Sequence, residues 1–270
     1  WARKRCRNSK LSATVSAPNS AALPAASSIS FPNRDRTIGT AARSGCSAIN
    51  ALMRAMPSIS IRKANRHSIA SNTATISFND NVDLGAATRT FTLGNAAAHT
   101  FSGIISNGGL TIDANANGTS GSFILSGANT YASGLTLNSG TLIINNSSAL
   151  GATAGTFTIN GGSIDCTAGA DVFSSTNNPI TIGGNFTFLG STTRNLGMGS
   201  GAISLGNSTT RTITNSGTTY ISFPGAISGN GSALNVTNNN TGSVLFSGNN
   251  TFTGGMTLDG NSTGRVQFSQ

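Results

Sequence analysis

The sequence predicts an all-β chain whose main part, residues 71–270, winds into a parallel β-helix. Three observations carry that prediction: apolar residues that recur every second position in short segments, glycine- and asparagine-rich turns between them, and repetition of whole strand-turn units. Composition agrees. Only 9% of the 270 residues are charged, 34 are glycine, and glutamate is absent. Helix surfaces are normally built with lysine and glutamate, and a typical soluble protein is about 25% charged.

The segments follow one another closely. Ala74-Thr-Ile-Ser-Phe78, Thr90-Phe-Thr-Leu93, Gly109-Leu-Thr-Ile-Asp113, Ser122-Phe-Ile-Leu-Ser126 and Gly134-Leu-Thr-Leu-Asn138 enclose Thr, Ser or Asn between apolar residues. Thr141-Leu-Ile-Ile144 and Thr156-Phe-Thr-Ile-Asn160 continue the series, as do Phe186-Thr-Phe-Leu189, Ser243-Val-Leu-Phe246 and Gly255-Met-Thr-Leu258. This is the signature of half-buried strands, with Leu125, Leu137, Ile144, Ile159, Phe246 and Leu258 expected to face the core. Asn-Gly, Gly-Gly, Ser-Gly and Asn-Asn between the segments supply turn chemistry, and helical periods are missing from this region.

Repetition narrows the architecture. Residues 122–137, Ser-Phe-Ile-Leu-Ser-Gly-Ala-Asn-Thr-Tyr-Ala-Ser-Gly-Leu-Thr-Leu, align without gaps on 243–258, Ser-Val-Leu-Phe-Ser-Gly-Asn-Asn-Thr-Phe-Thr-Gly-Gly-Met-Thr-Leu. Upstream of each lies a matching element, Phe101-Ser-Gly-Ile-Ile-Ser106 and Phe223-Pro-Gly-Ala-Ile-Ser228. Repeated strand-turn units without helices indicate a solenoid or a propeller. The Trp-Asp and Gly-Gly-Tyr marks of propeller blades are absent, which leaves the solenoid.

Residues 1–70 follow other rules. They hold 12 of the 16 lysines and arginines against one acid, Asp35, for a net +11; residues 71–270 hold four arginines and six aspartates, for −2. The first part is read as a low-complexity basic segment, disordered or extraneous to the fold. Ile49, Leu52, Met53 and Met56 recur at helical spacing behind Ser47, so a short helix over 47–56 is expected as a candidate cap for the solenoid's end. The formal charge of +9 therefore describes neither part, and four scattered arginines give the main domain no basic stripe for nucleic acid. No run approaches the ~20 apolar residues of a membrane-spanning helix. The chain opens on Trp1 and closes at Gln270 within a strand-like pattern, and is read as a fragment.

Residues 123–151 also resemble a known family. Gly127, Asn129, Thr130, Tyr131, Gly134, Gly140, Thr141, Leu142, Ala149, Leu150 and Gly151 stand at the positions of the autotransporter-associated β-strand repeat. That repeat runs strand, Gly-x-Asn-Thr-Tyr/Phe-x-Gly-Gly turn, strand, Gly-Thr-Leu strand, Ala-Leu-Gly turn. Ser133 replaces its usual glycine, and the second copy, from Gly248 to Gly255, ends before the Gly-Thr-Leu strand. The resemblance implies a right-handed parallel β-helix in a passenger carried to the surface of a Gram-negative bacterium by an outer-membrane barrel that lies outside this sequence. It transfers no catalytic residues.

The remaining chemistry is thin. Asp113, Asp165 and Asp171 are the acids a carbohydrate-active β-helix would use for acid–base work, but they stand isolated and read as turn acids bonding nearby amides. On that reading, replacing Asp165 with Asn leaves the fold nearly unchanged. Gly161-Gly162 ahead of Asp165 resembles half of a calcium-binding nonapeptide, once only. Cys6, Cys46 and Cys166 form neither a disulfide framework nor a zinc pair, Cys166 reads as a small buried residue, and His67 and His99 complete no metal cluster. Sequons at Asn146 and Asn185 are expected by chance in so Asn-rich a chain. The Thr-x-Thr pairs 90/92, 156/158 and 251/253 read as β-branched residues on solvent-facing positions, with a hydroxyl ladder for glycans or ice as the functional alternative. The expectation is thus a secreted, surface-displayed, non-catalytic structural β-helix serving as stalk, in export or in adhesion, with no cofactor or metal. Surface glycans or host and environmental surfaces are its expected partners. The alternatives are a polysaccharide lyase or hydrolase, and a glycan- or ice-binding solenoid.

Overall fold

A segment such as Thr-Phe-Thr-Leu sends Phe and Leu to one side and the threonines to the other, so it is stable only where something covers the apolar side. A strand of so few residues cannot do this alone. Here each strand is covered by the strands of its own coil, and each coil by the next. The computed structural model describes residues 58–61, 75, 77–93, 96–114, 120–259 and 264–269. Over these the chain is all-β, without helix, and its parallel strands stack as a β-solenoid of about eight turns.

The first face is an eight-stranded sheet. It runs Ser58–Ile61, Thr88–Leu93, Gly109–Asp113, Leu135–Ser139, Phe157–Ile159, Ile180–Ile182, Ile203–Ser204 and Ile227–Ser228. The second face has nine strands, from Ser77–Phe78 through Ser122–Leu125, Thr141–Ile144 and Phe186–Phe188 to Ala233–Asn238 and Met256–Asp259. The third is shorter: Val82–Asp83 pairs with Ile105–Ser106 low in the stack. Higher up, Val172–Phe173, Leu196–Gly197, Tyr220–Phe223, Ser243–Phe246 and Arg265–Phe268 form a five-stranded sheet. Successive coils are unequal in length: one coil carries the chain from Thr90 to its partner Thr111, and a longer one from Thr111 to Thr136.

The core is built of columns. On the first face Phe91, Ile112, Leu137, Ile159 and Ile182 lie one above another in register, each fully buried. Aromatic rings stack in the same way, Phe78 on Phe101 at 4.6 Å between centroids and Phe101 on Phe123 at 4.5 Å. The expected core residues Leu125, Leu137, Ile144, Ile159 and Phe246 are all buried. Leu258 is not, at 58% exposed. It stands in register with buried Val236 and so points along the same interior column, but its strand is the last in its sheet and has a neighbour on one side only.

Two further findings adjust the sequence reading. The parallel stack already includes Ser58–Ile61, paired with Thr88–Leu93, inside the segment assigned to residues 1–70. The capping helix expected over 47–56 lies outside the described residues. The two gapless repeats also occupy different faces. Ser122–Leu125 lies in the second sheet and Leu135–Ser139 in the first, whereas Ser243–Phe246 lies in the third and Met256–Asp259 in the second. The repeat distance does not span a whole number of these unequal coils, so the second copy falls one face round the solenoid.

Leu137 tests the inner face most directly. Leu137→Asp places a carboxylate among Ile112, Ile159 and their neighbours with no partner, at a cost of several kcal/mol. Its thermal melt by circular dichroism should lose the cooperative transition of the parent chain. A melting temperature within a few degrees of the parent would show that this column is not the core.

Candidate functional site

Asp113, Asp165 and Asp171, the acids singled out in the sequence, and Asp83, which was not, sit at the ends of strands, where the coil turns. Asp83 accepts from the Gly85 amide at 2.9 Å and from the Asn107 side chain one coil on at 2.9 Å. Asp113 accepts the Ser139 hydroxyl at 2.5 Å. Asp171 accepts the Asn195 amide at 3.0 Å and its side-chain amide at 2.8 Å, and these bonds hold its carboxyl below the usual carboxylate range. Asp165 is 2% exposed and receives the Cys166 amide at 2.9 Å, the Ser191 amide at 3.2 Å and the Ser191 hydroxyl. Asp165 and Asp171 bond nearby amides as read from sequence, whereas Asp113 holds a hydroxyl. The location of Asp165 differs from that reading: it is buried between two coils, so its replacement by Asn is expected to cost stability.

Cys166 is buried as expected, and burial, reinforced by the charges of Asp165 and Asp171, pushes its thiol above the usual range. His99 is buried in the column below Phe123, and desolvation lowers its pKa. Among the described residues no three His, Cys, Asp or Glu side chains come together in a group that could hold a metal ion. An open depression at a corner is lined by Asp83, Gly85, Asn107, Gly108, Thr130 and Ser133, where the Asp83 carboxylate is already engaged. Asn146 and Asn185 likewise spend their side chains on the fold, Asn146 on Ser148 and Ser126 and Asn185 on the Thr212 amide.

The repeat motif acquires a physical reading. Asn129, 3% exposed, reaches both neighbouring coils: its Oδ1 accepts the Ile105 amide at 2.8 Å and its Nδ2 donates to the Ala149 carbonyl at 2.8 Å. The fully buried Tyr131 donates its hydroxyl to the same carbonyl at 2.7 Å. Gly151, at φ +86°, passes so close to the Tyr131 ring that a Cβ would collide with it. Gly127 passes equally close to the Gly103 carbonyl. In the second copy Asn250 accepts the Ile227 amide at 2.9 Å, and Gly248 lies against Gly225. The repeat is thus a corner that bolts consecutive coils together. Buried Asn178, Asn215 and Asn238 do similar work, donating to carbonyls of their own and adjacent coils. Their burial was not legible in sequence, since Asn in turn-rich stretches reads as surface.

The outward side of the first face gathers a column of hydroxyls. Thr90, Thr111, Thr136, Thr158, Thr181, Ser204 and Ser228 are in register on successive coils, and the backbone of Ser58 continues the column below. Of the Thr-x-Thr pairs, only Thr90 and Thr158 join it. Thr92 pairs with Asp113, Thr156 stands at a strand edge, and Thr251 and Thr253 lie in a turn bonding Ile227 and Gly231. The second face carries a mixed column, Ser122, Thr141, Ser163, Thr187, Thr214 and Thr237.

Fold and site together define a parallel β-solenoid whose polar side chains are engaged chiefly in joining its own coils. No family model, curated protein or solved structure matches the chain.

Two outcomes follow from these bonds. Asp165→Asn replaces the charged acceptor of the Cys166 and Ser191 amides with a neutral one and sets an NH2 against the Ser191 hydroxyl, which must turn to accept, and should cost roughly 1–3 kcal/mol in urea denaturation; an unchanged midpoint would return Asp165 to the surface. Asn129→Ala leaves the buried Ile105 amide unpaired and should cost a similar amount, while Tyr131→Phe should cost about 1 kcal/mol. Because both side chains serve the Ala149 carbonyl, the double variant should lose more than the sum of the two. Strict additivity in the same denaturation assay would show that the shared carbonyl is not the link.

Proposed function

We propose that this chain is a non-catalytic structural segment of a secreted, surface-displayed protein of the autotransporter passenger type, serving as a stalk or export element. The observation that carries the reading is how its polar groups are used. Asp83, Asp113, Asp165 and Asp171, four of the six aspartates of residues 71–270, each hold an amide or hydroxyl at a coil corner. Asn129, Asn178, Asn215 and Asn238 tie coils together from within. A stack of about eight coils at ~4.8 Å per coil makes a rod of roughly 40 Å, in which each coil needs only its neighbours to fold. Such stepwise stacking suits a chain threaded outward from one end. The Asn-Thr-Tyr corner that resembles the passenger repeat joins three consecutive coils through Asn129 and Tyr131, which supports that assignment.

The experiment is export. Placed between a signal peptide and an outer-membrane barrel in a Gram-negative host, the chain should reach the surface of intact cells and be cleaved there by added trypsin at its arginines. Retention in the periplasm while a known passenger is displayed would overturn the export role. Release of reducing ends from pectin or other polysaccharides by the purified chain would overturn the non-catalytic one.

A further inference from the structure

The threonine column on the first face has properties that joining the coils does not require. From Thr90 to Thr181 five successive coils place a half-buried threonine at one register position, and among the described residues none of these five hydroxyls bonds to another part of the protein. The serines that follow are different: Ser204 accepts the Gly206 amide and Ser228 donates to the Ile203 carbonyl. The five uncommitted hydroxyls therefore recur every ~4.8 Å along roughly 19 Å of a rigid surface.

The flanks say what could lie there. On one side the adjoining register positions are Thr88, Gly109, Gly134, Thr156, Pro179 and Ala202, a low shelf of small residues with a threonine at two of the six. On the other stand Asp113, bonded to Ser139, and the stacked pair Asn160 and Asn138, whose amide-to-amide bond is 2.9 Å. Asp113 is the one charge on the outward side of the described strands of this face, so neither an acidic nor a basic polymer is matched by charge. Beyond the row Thr88, Thr90 and Thr92 the hydroxyl register runs in one dimension, because Gly109, Pro179 and Ala202 interrupt it on one side and Asp113, Asn138 and Asn160 on the other. A two-dimensional lattice such as ice needs a second column, whereas a single linear polymer does not.

We propose that the first face is a glycan-binding surface that takes one extended, neutral, β-linked polysaccharide chain along the threonine column. Sugar hydroxyls exchange hydrogen bonds with Thr90, Thr111, Thr136, Thr158 and Thr181, ring C–H faces rest on the glycine, proline and alanine shelf, and Asn138 and Asn160 serve the outer edge. An extended β-linked ribbon offers hydroxyls at a repeat of the same order as one coil, so contacts add along the stack. The second face, where Ile124 and Ile143 stand beside the mixed column, provides the internal control. The proposal adds to the structural reading and does not depend on it; a rod that binds no glycan is still a rod.

The test uses the full chain. Its retention is measured on microcrystalline cellulose and chitin, and its mobility in gels containing soluble mixed-linkage β-glucan or xylan. Retention or retardation by at least one of these is expected. Thr111→Val, Thr136→Val and Thr158→Val combined keep the β-branched shape while removing three hydroxyls, and should weaken binding at least roughly tenfold with an unchanged melt. Thr187→Val with Thr214→Val on the second face should change it by less than about twofold. Absence of binding to all four probes, or equal weakening by both sets, overturns the proposal. So does inhibition of ice growth that disappears with the first-face triple variant, which would assign the column to a water lattice.

Discussion

In this molecule every strand depends on parallel, in-register stacking. A short strand pairs its backbone with the coil below and the coil above, and the same register sets each inward side chain on its equivalent. Phe91, Ile112, Leu137, Ile159 and Ile182 form a single column for this reason, and the Phe101 ring stacks on Phe123. Burial is shared between neighbours, so no coil is stable alone. The end of the stack displays the cost directly: Leu258 and Phe268 carry the same inward pattern as the buried residues beneath them, yet both are more than half exposed.

The register tolerates unequal coils because the excess is taken up at the corners. The coil from Thr111 to Thr136 is longer than the one from Thr90 to Thr111, yet the strand backbones stay paired through both, with a bulge after Ile112. Corners accordingly concentrate the glycines with positive φ, the buried asparagines and the carboxylates. Asn129 with Tyr131 and Gly151 is one example, and its asparagine-to-amide bond recurs on another face in the Asn250 copy. What the sequence repeats is therefore a corner joint, independent of the face that follows it.

This division of labour shapes what the protein can do. Asp113, Asp165 and Asp171 are distributed along the rod, each bonded to the coil that follows it. The outward strand positions are left to small, uncharged and β-branched residues, and the stacking that makes the core also turns them into periodic columns. A surface of this kind presents one group at a constant spacing, in the way the inner columns build by repetition.

Much of the fold was legible in the sequence because it is encoded locally. Alternation in Thr90-Phe-Thr-Leu93 or Gly134-Leu-Thr-Leu-Asn138 assigns inside and outside within a few positions, and turn chemistry marks where the chain bends. The gapless repeat between 122–137 and 243–258 pointed to stacked units. Tertiary structure alone decided which strands share a face, because partners such as Thr90, Thr111 and Thr136 follow at unequal intervals and leave no fixed period to read. Thr111, Thr136 and Thr181 thus escaped notice while the Thr-x-Thr pairs, prominent in sequence, largely failed to align. Burial of Asp165, Asn178, Asn215 and Asn238 was hidden for a related reason. A polar side chain is read as exposed until the coil that supplies its hydrogen-bond partners is in place, and only the register brings that coil to it.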